Sequence, residues 1–268
     1  MKANTINIIS YIPNDRQDRV EYLNKTLKSL AGCGMHVNVL AMWGDTIYSK
    51  VQYPTNLSIK LIKAPGMKQA GARNILLSMF YQTDEDYAVF MDDDMLFKTK
   101  TDYNIKQYLD FMIANVKFDI LGGVFHYSMP DKEFDVYLTR HLSGGCFFIK
   151  NFKKYYNEEK YFDTEYTVLE DAEFGTRLLS EGYAVYRCTD FNQMSGITNS
   201  STIYKNDADR SELNKQWHDK IVDKYTKITG YNMKTAKSFI NKLMKEKGYE
   251  RYTFSYEAVL QSIEGENK

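Results

Sequence analysis

The sequence has little of several features that would identify a class of protein. Its 268 residues include 35 basic and 35 acidic side chains, so the formal net charge is zero. That balance argues against a uniformly basic nucleic-acid coat protein. No apolar run approaches the roughly 20 residues that a membrane-spanning helix needs. The amino terminus is interrupted by Lys2, Asn4 and Asn7, unlike a secretion signal, so we expect a cytoplasmic protein.

Cysteine and proline are scarce as well. The three cysteines, Cys33, Cys146 and Cys188, show neither metal-ligand spacing nor a pattern of pairs, and their odd number favours reduced thiols in the core. Only four prolines occur, and we find no internal repeat or low-complexity linker. A chain of this length can bury a substantial core as one α/β domain with a small addition.

What the sequence does contain is a run of three carboxylates, Asp92, Asp93 and Asp94, directly after the apolar stretch 87–91. A strand places side chains i and i+2 on one face, so Asp92 and Asp94 would project together from its carboxyl end. Oxygen ligands in this arrangement suit a hard divalent cation, the usual partner of a diphosphate. The alternative is an acidic helix cap or a solvated turn.

Apolar periodicity predicts strands alternating with helices. The predicted strands are 6–12, 36–42, 58–62, 87–91, 120–127, 146–149 and 184–188, and the helices are 20–30, 69–81, 103–115, 171–180, 211–229 and 233–247. This alternation predicts βαβ crossovers and a largely parallel sheet. In such sheets ligands bind at the carboxyl ends of strands, where Pro13, Asp45 and the triplet fall. The polar stretch 192–202 lacks periodicity and predicts a long loop or lid.

Further blocks accompany the triplet in a set order. Ala72-Arg73-Asn74 opens an apolar helical stretch before it, and Ser143-Gly144-Gly145 and Leu169-Glu170-Asp171 follow it. In this order and spacing, the chain resembles family 2 and related glycosyltransferases of the GT-A fold over roughly residues 6 to 190, with the triplet in the place of the family's Asp-x-Asp. The resemblance implies a Rossmann-like α/β domain in residues 1–190. Residues 191–268 would form an acceptor loop or lid and a C-terminal helical extension.

The resemblance also implies a reaction. The protein would transfer a hexosyl or pentosyl group from a nucleotide-diphosphate donor, with a UDP-sugar favoured, to a hydroxyl acceptor, with inversion and with Mn²⁺ or Mg²⁺ as cofactor. Asp94 would bind the metal directly, Asp92 would reach the ribose or a metal-bound water, and His218 is a candidate further ligand; a surface histidine is the alternative for His218. Asp93 would either contact the donor or be hydrogen-bonded at the sheet edge.

The remaining donor and catalytic residues follow from the same resemblance. Arg73 would lie near the donor, unless its role is an ion pair that orients an aspartate of the triplet. Tyr11, Pro13 and Asp45 would surround the pyrimidine, although Trp43-Gly44-Asp45 departs from the family's usual Asp-Asp-Gly-Ser. Asp171 would be the general base and Glu170 would bind the acceptor. The alternative for this pair is a helix start favoured by the macrodipole.

The sequence allows several hypotheses for the acceptor. The stretch from Gln193 to Thr202 and the charged helices after it resemble viral glycosyltransferases that modify hydroxymethylated DNA bases, which implies 5-hydroxymethylcytosine in phage DNA as acceptor and the host cytoplasm as location. Lys234, Lys237 and Lys242 belong to a lysine-rich stretch that would contact phosphates, or would form a solvated helix face. Other hypotheses are a transferase that builds a surface or capsular saccharide, and a catalytically silent scaffold that binds a nucleotide or saccharide.

Overall fold

A computed structural model of the protein describes residues 1–98, 103–124, 132–195 and 207–266. Its strands are β1 (Thr5–Ile12), β2 (His36–Trp43), β3 (Ser58–Lys63), β4 (Tyr87–Asp92), β5 (Met95–Lys98), β6 (Ile120–Val124), β7 (Glu133–Leu138), β8 (Cys146–Lys150), β9 (Val185–Ser195) and β10 (Tyr252–Ser255). Its helices are α1 (Asp18–Ser29), α2 (Gln69–Tyr81), α3 (Ile105–Asn115), α4 (Phe152–Tyr156), α5 (Glu170–Ser180), α6 (Asp207–Thr229), α7 (Lys237–Lys247) and α8 (Tyr256–Glu266).

The described strands form one sheet in the order β10-β7-β9-β6-β8-β4-β1-β2-β3, with β5 paired to β9. Strands β3, β2, β1 and β4 are mutually parallel, and β6 is parallel to β9. Strand β8 runs antiparallel between β4 and β6, and β5, β7 and β10 also form antiparallel pairs. Most of the described strands therefore share one direction, and the predicted α/β class with a mostly parallel sheet is confirmed.

The carboxyl ends of the parallel strands are where the triplet lies. Residues 87–91 of β4 are all buried, as expected for a strand covered by helices on both faces. Helix α1 packs against the turn that follows: the Thr26 hydroxyl donates to the carbonyls of Asp93 (2.9 Å) and Met95 (3.0 Å). These hydrogen bonds from helix α1 fix the turn between β4 and β5, which holds the triplet at the edge of the sheet.

The element bounds agree with the prediction through most of the sheet, and several additions appear. Strands β5, β7 and β10 and helices α4 and α8 were not predicted. Strand β9 continues to Ser195, into the stretch expected to be a loop, while residues 125–127 of the expected sixth strand and 196–202 of the expected lid lie outside the described residues. Strand β10 pairs with β7, so part of the C-terminal region belongs to the sheet. Within the described ranges, no helix is both long and apolar enough to cross a membrane.

Candidate active site

The three aspartates of the triplet separate into two groups. Asp93 is buried: its Oδ2 accepts from the Ser10 hydroxyl (2.6 Å) and its Oδ1 from Arg19 Nη2 (2.7 Å). The side chains of Asp92 and Asp94 are 20% and 17% exposed. This is the alternation that a strand end imposes. Asp92 and Asp94 are therefore open to a ligand. For Asp93, the geometry fits the prediction of a hydrogen-bonded residue at the sheet edge and does not fit the prediction of a donor contact.

A hydrogen-bonded chain anchors Asp93 from the neighbouring strands. The Trp43 indole at the end of β2 donates to the Ser10 hydroxyl of β1 (2.8 Å), which in turn donates to Asp93. Arg19, the first buried cation of α1, neutralises the carboxylate and lies 3.8 Å from Asp94 Oδ2. Sequence reasoning missed both Ser10 and Arg19. Asp93 thus holds the turn in place while its neighbours face outwards.

Arg73 of α2 joins three separate segments at one buried guanidinium. Its Nη2 donates to Asp92 Oδ1 (3.0 Å) and to the Gly144 carbonyl (2.9 Å), and its Nη1 donates to Glu170. Burial would lower the pKa of Arg73, but Asp92, Glu170 and Asp171 together raise it. Arg73 therefore stays charged and holds the end of β4, the loop before β8 and the start of α5 in one arrangement.

The first two residues of helix α5, Glu170 and Asp171, differ in burial and in their hydrogen-bond partners. Leu169 precedes them in the left-handed region, with φ of 57°. Glu170 is buried against Arg73, and burial raises its pKa although Arg73 opposes the shift. Asp171 is only half-buried; its Oδ2 accepts from the Gly144 amide (2.7 Å) and its Oδ1 from the Ala172 amide (2.8 Å). Glu170 is thus committed to Arg73, and Asp171 is the more accessible carboxylate of the pair.

Gly144 permits this arrangement because it has no side chain. A Cβ at this position would lie 2.9 Å from Arg73 Nη2, from Asp171 Cβ and from Asp171 Oδ2. Those distances are shorter than van der Waals contact, so both side chains would have to move. The Ser143-Gly144-Gly145 block was noted in the sequence, but this contact was not predicted.

Negative charge dominates the site. The site contains more carboxylates than guanidinium groups. The guanidinium groups are those of Arg19 and Arg73, and the carboxylates are those of Asp92, Asp93, Asp94, Glu170 and Asp171. Burial raises the pKa of Asp92 to about 7, helped by Asp94 and Asp93 and opposed by Arg73. Burial and Asp93 raise the pKa of Asp94 to about 6, while Arg19 opposes the shift. An added cation would stabilise the ionised forms of these two carboxyl groups.

The described residues do not add a third His, Cys, Asp or Glu ligand to Asp92 and Asp94. Among the described residues, no three side chains of His, Cys, Asp or Glu are grouped so that they could hold an ion. His218 of α6 has other neighbours: its Nε2 lies 2.9 Å from Arg140 Nη2, and its ring is parallel to that of His141. Because His218 lies with Arg140 and His141 and is not grouped with Asp92 and Asp94, its expected ligand role does not fit this geometry.

The residues expected around the pyrimidine lie at adjacent strand ends. Tyr11 pairs with Met42 across β1 and β2, and the Gly44 amide donates to the Ile12 carbonyl (2.9 Å). The Tyr11 ring is exposed and borders Gly66, before α2. Pro13 is half-buried and Asp45 exposed in the turns that follow their strands. The structure therefore brings these turns to the same sheet edge as the triplet.

The residues expected to bind the acceptor are more dispersed. Gln193 lies in β9 opposite Phe97 of β5, and its side chain is outside the described part of the chain. Lys234 is exposed between α6 and α7, Lys237 begins α7, and Lys242 lies 3.9 Å from Glu246. Lys224, from the same lysine-rich stretch, turns towards the buried Glu173 (3.7 Å). Phosphate binding by Lys234, Lys237 and Lys242 stays a prediction, with a solvated helix face as the alternative.

Comparison with solved structures identifies a related fold. The structure of S. aureus TarS 1-349 in complex with UDP-GlcNAc matches with a TM-score of 0.54 and 18% sequence identity, covering 90% of this chain and 74% of that one. The structure of the same TarS region in complex with UDP matches with a TM-score of 0.50 and 17% identity, covering 72% of this chain and 59% of that one. No protein-family model matches the chain, and no curated protein matches it. At these identities the likeness establishes the fold, an α/β arrangement consistent with GT-A.

Proposed function

We propose that the protein is a glycosyltransferase that moves a sugar from a nucleotide-diphosphate donor, preferably a UDP-sugar, to a hydroxyl group. One observation carries the proposal. The buried guanidinium of Arg73 links the carboxylate at the end of β4 with the Glu-Asp pair that begins α5. The carboxylate assigned to the donor and Glu170, the neighbour of the candidate base Asp171, are therefore held by the same side chain. The TarS structures that share this fold hold UDP and UDP-GlcNAc, which supports a UDP-sugar as donor.

The donor set at the end of β4 fits a hard divalent cation. Asp92 and Asp94 offer carboxylate oxygens, their side chains are partly open, and the surrounding charge is negative in excess. Such oxygen ligands suit Mn²⁺ or Mg²⁺. Bound there, the ion would neutralise the charge that develops on the departing diphosphate. Water and the diphosphate itself would complete its coordination, since His218 is engaged elsewhere.

Asp171 is the residue we assign as general base. The Gly144 and Ala172 amides hold its two oxygens in one orientation, and it remains half-buried rather than enclosed. The acceptor hydroxyl would give its proton to Asp171 as its oxygen attacks the anomeric carbon, and the bond to the diphosphate oxygen would break on the opposite face. Glu170 keeps Arg73 in place, so its role is positioning. This arrangement predicts inversion of the anomeric centre.

The acceptor in this function is a hydroxyl-bearing molecule. DNA containing 5-hydroxymethylcytosine and a growing saccharide remain competing predictions. A silent nucleotide-binding scaffold is disfavoured because it would have no need for Asp92 beside Arg73, Asp94 beside Arg19 and the accessible Asp171 together.

The experiment is a screen of nucleotide sugars for release of the nucleoside diphosphate with Mn²⁺, followed by Asp171→Asn. This change preserves size, so donor affinity should survive while transfer falls roughly a hundredfold to ten-thousandfold, the range for a general base. Asp110→Asn, which alters a surface carboxylate of α3 paired with Lys106, is the matched control. Near wild-type transfer by Asp171→Asn, or a product that keeps the donor's anomeric configuration, would refute the mechanism. Donor binding without any turnover would favour the scaffold.

A further inference from the structure

Arg140, just beyond β7, is a buried arginine whose charge has no carboxylate partner among the described residues. The residue is 3% exposed. Its Nη2 lies 2.9 Å from His218 Nε2 and 3.3 Å from the Lys234 carbonyl. Its Nε and Nη1 are buried and have no hydrogen-bond acceptor in the part of the chain that the structure describes. Two of the strongest donors in the protein are therefore shielded from water and unsatisfied.

The other buried arginines of the described chain show how unusual this is. Arg19 is paired with Asp93 and Arg73 with Asp92 and Glu170. For Arg140, burial lowers the pKa, and no carboxylate within the described ranges acts to raise it. An unpaired buried charge is strongly unfavourable, because the lost hydration is not replaced. Such a residue is retained most readily when a ligand supplies the missing negative charge.

The surroundings of Arg140 are also suited to an anion. The rings of His141 and His218 lie parallel, 6.3 Å apart, beside the guanidinium. Burial is the main cause that lowers the pKa of His141 to about 4, and Arg140, Arg187 and His218 add to the shift. The two arginines contribute positive charge on this side of the cluster. The one carboxylate in contact with these described side chains is Asp219, 3.5 Å from His218 Nδ1 and largely exposed. The His218 side chain is 34% exposed and marks the solvent side of the cluster.

We infer that Arg140, together with His218 and His141, forms a binding site for an oxyanion of the phosphate class. When the imidazole of His218 turns away from Arg140, the N–H of Nη2 that it accepted from is released. Together with the free N–H on the same edge of the guanidinium, that N–H forms the planar fork that phosphate oxygens accept most readily. None of the residues assigned to the nucleotide sugar takes part, so this is a separate site.

Its place in the fold indicates which molecule carries the anion. The Arg140 carbonyl accepts from the Thr176 hydroxyl of α5 (3.2 Å), and Thr176 follows Asp171 by about 7.5 Å along the helix axis at 1.5 Å per residue. The loop that carries Arg140 continues to Gly144, whose amide binds Asp171. On the proposed function, which this step requires, the phosphate belongs to the acceptor, because the segment that carries Arg140 also contacts the helix that carries Asp171.

The binding test uses inorganic phosphate and the whole protein, without nucleotide or divalent metal. Phosphate should bind the wild-type protein in calorimetry and raise its unfolding temperature. Arg140→Met should unfold at a higher temperature than wild type in phosphate-free buffer, because a buried unpaired charge is gone, and should bind phosphate at least tenfold more weakly. Arg140→Lys keeps the charge without the fork and should bind several-fold more weakly, which provides a readout if the methionine variant fails to fold. Arg251→Met, which removes an exposed arginine paired with Asp135, is the control and should bind like wild type.

Unchanged phosphate affinity in both Arg140 variants, or no phosphate binding by the wild type, would overturn the site. A second measurement separates this inference from the proposed function. If transfer is detected, phosphate should compete with the acceptor and not with the UDP-sugar. Arg140→Met should then raise the KM for a phosphate-bearing acceptor and leave the KM for the UDP-sugar unchanged. If no sugar is transferred but Arg140→Met abolishes phosphate binding, the glycosyltransferase proposal fails and the anion site stands. If transfer proceeds and the acceptor KM is unchanged in Arg140→Met, the acceptor assignment is wrong.

Discussion

Replacing Gly144 with alanine tests whether the close approach of three segments creates the site. The added methyl group would lie 2.9 Å from Arg73 Nη2 and from two atoms of Asp171. Both neighbours are constrained: Arg73 by its bonds to Asp92 and Glu170, and Asp171 by the Gly144 amide itself. Neither side chain can move without loss of a charge-assisted hydrogen bond. The substitution should therefore affect stability and catalysis together.

The expected size follows from the geometry. Forcing one extra methyl into a packed site costs about 1–3 kcal/mol, so the free energy of unfolding should fall by that amount. Displacing a catalytic carboxylate by about 1 Å costs on the order of a hundredfold in rate. The methyl group contacts Asp171 directly, whereas it reaches the donor-side Asp92 only through Arg73 Nη2. Transfer should therefore fall by about that factor, and the affinity for the nucleotide sugar should fall by less.

The assay combines urea denaturation with donor-binding and transfer measurements on Gly144→Ala and on a matched Gly→Ala control. Gly71, in the first turn of α2, is suitable because its Cβ would meet only the Met67 sulfur at an ordinary 3.7 Å. Gly71→Ala should leave transfer unchanged and keep or raise stability, by up to about 1 kcal/mol. Wild-type stability and transfer in Gly144→Ala would refute the account of this contact. A loss of donor affinity as large as the loss of transfer would show that the displacement acts mainly through Arg73 and Asp92.

Three further predictions concern the metal, the pH dependence and the acceptor. Asp94→Asn should lower turnover by about a hundredfold or more, the scale for loss of one charge-stabilising group; full activity of the wild type in excess chelator would contradict this. Because the folded protein raises the pKa of Asp92 to about 7 and that of Asp94 to about 6, protonation favours the folded state, and the metal-free protein should lose stability as the pH rises from about 4 to about 7. Denaturation across that range, with and without Mn²⁺, should show the ion restoring stability at the upper end, and a pH-independent midpoint would rule the effect out. If the lysines contact DNA, alanine at Lys234, Lys237 and Lys242 should weaken binding and lower its salt slope by about 0.9 for each lost phosphate contact; unchanged binding would indicate a solvated helix surface.

Much of the fold could be predicted because local patterns reported it. The buried β4 and the amphipathic α2 and α5 have clear apolar periodicity, and their observed bounds lie close to the predicted ones. Strands β5 and β10 were missed because each has only four residues, too few to establish a period of two. Strand β7 does alternate, from buried Phe134 to buried Leu138, and that signal could have been read.

The sequence by itself determined the local chemistry: a triplet of carboxylates at a strand end, an arginine near a helix start, and a Glu-Asp pair before an apolar helix. It did so because side-chain alternation and helix starts depend on neighbouring residues. Only the tertiary structure decided which groups meet. Arg73 and Glu170 are separated by 97 positions, and Arg19 and Asp93 by 74. No local pattern records such pairs, nor which partners the inward-facing Asp93 finds. The same holds for Arg140, whose lack of a carboxylate partner is a property of everything folded around it.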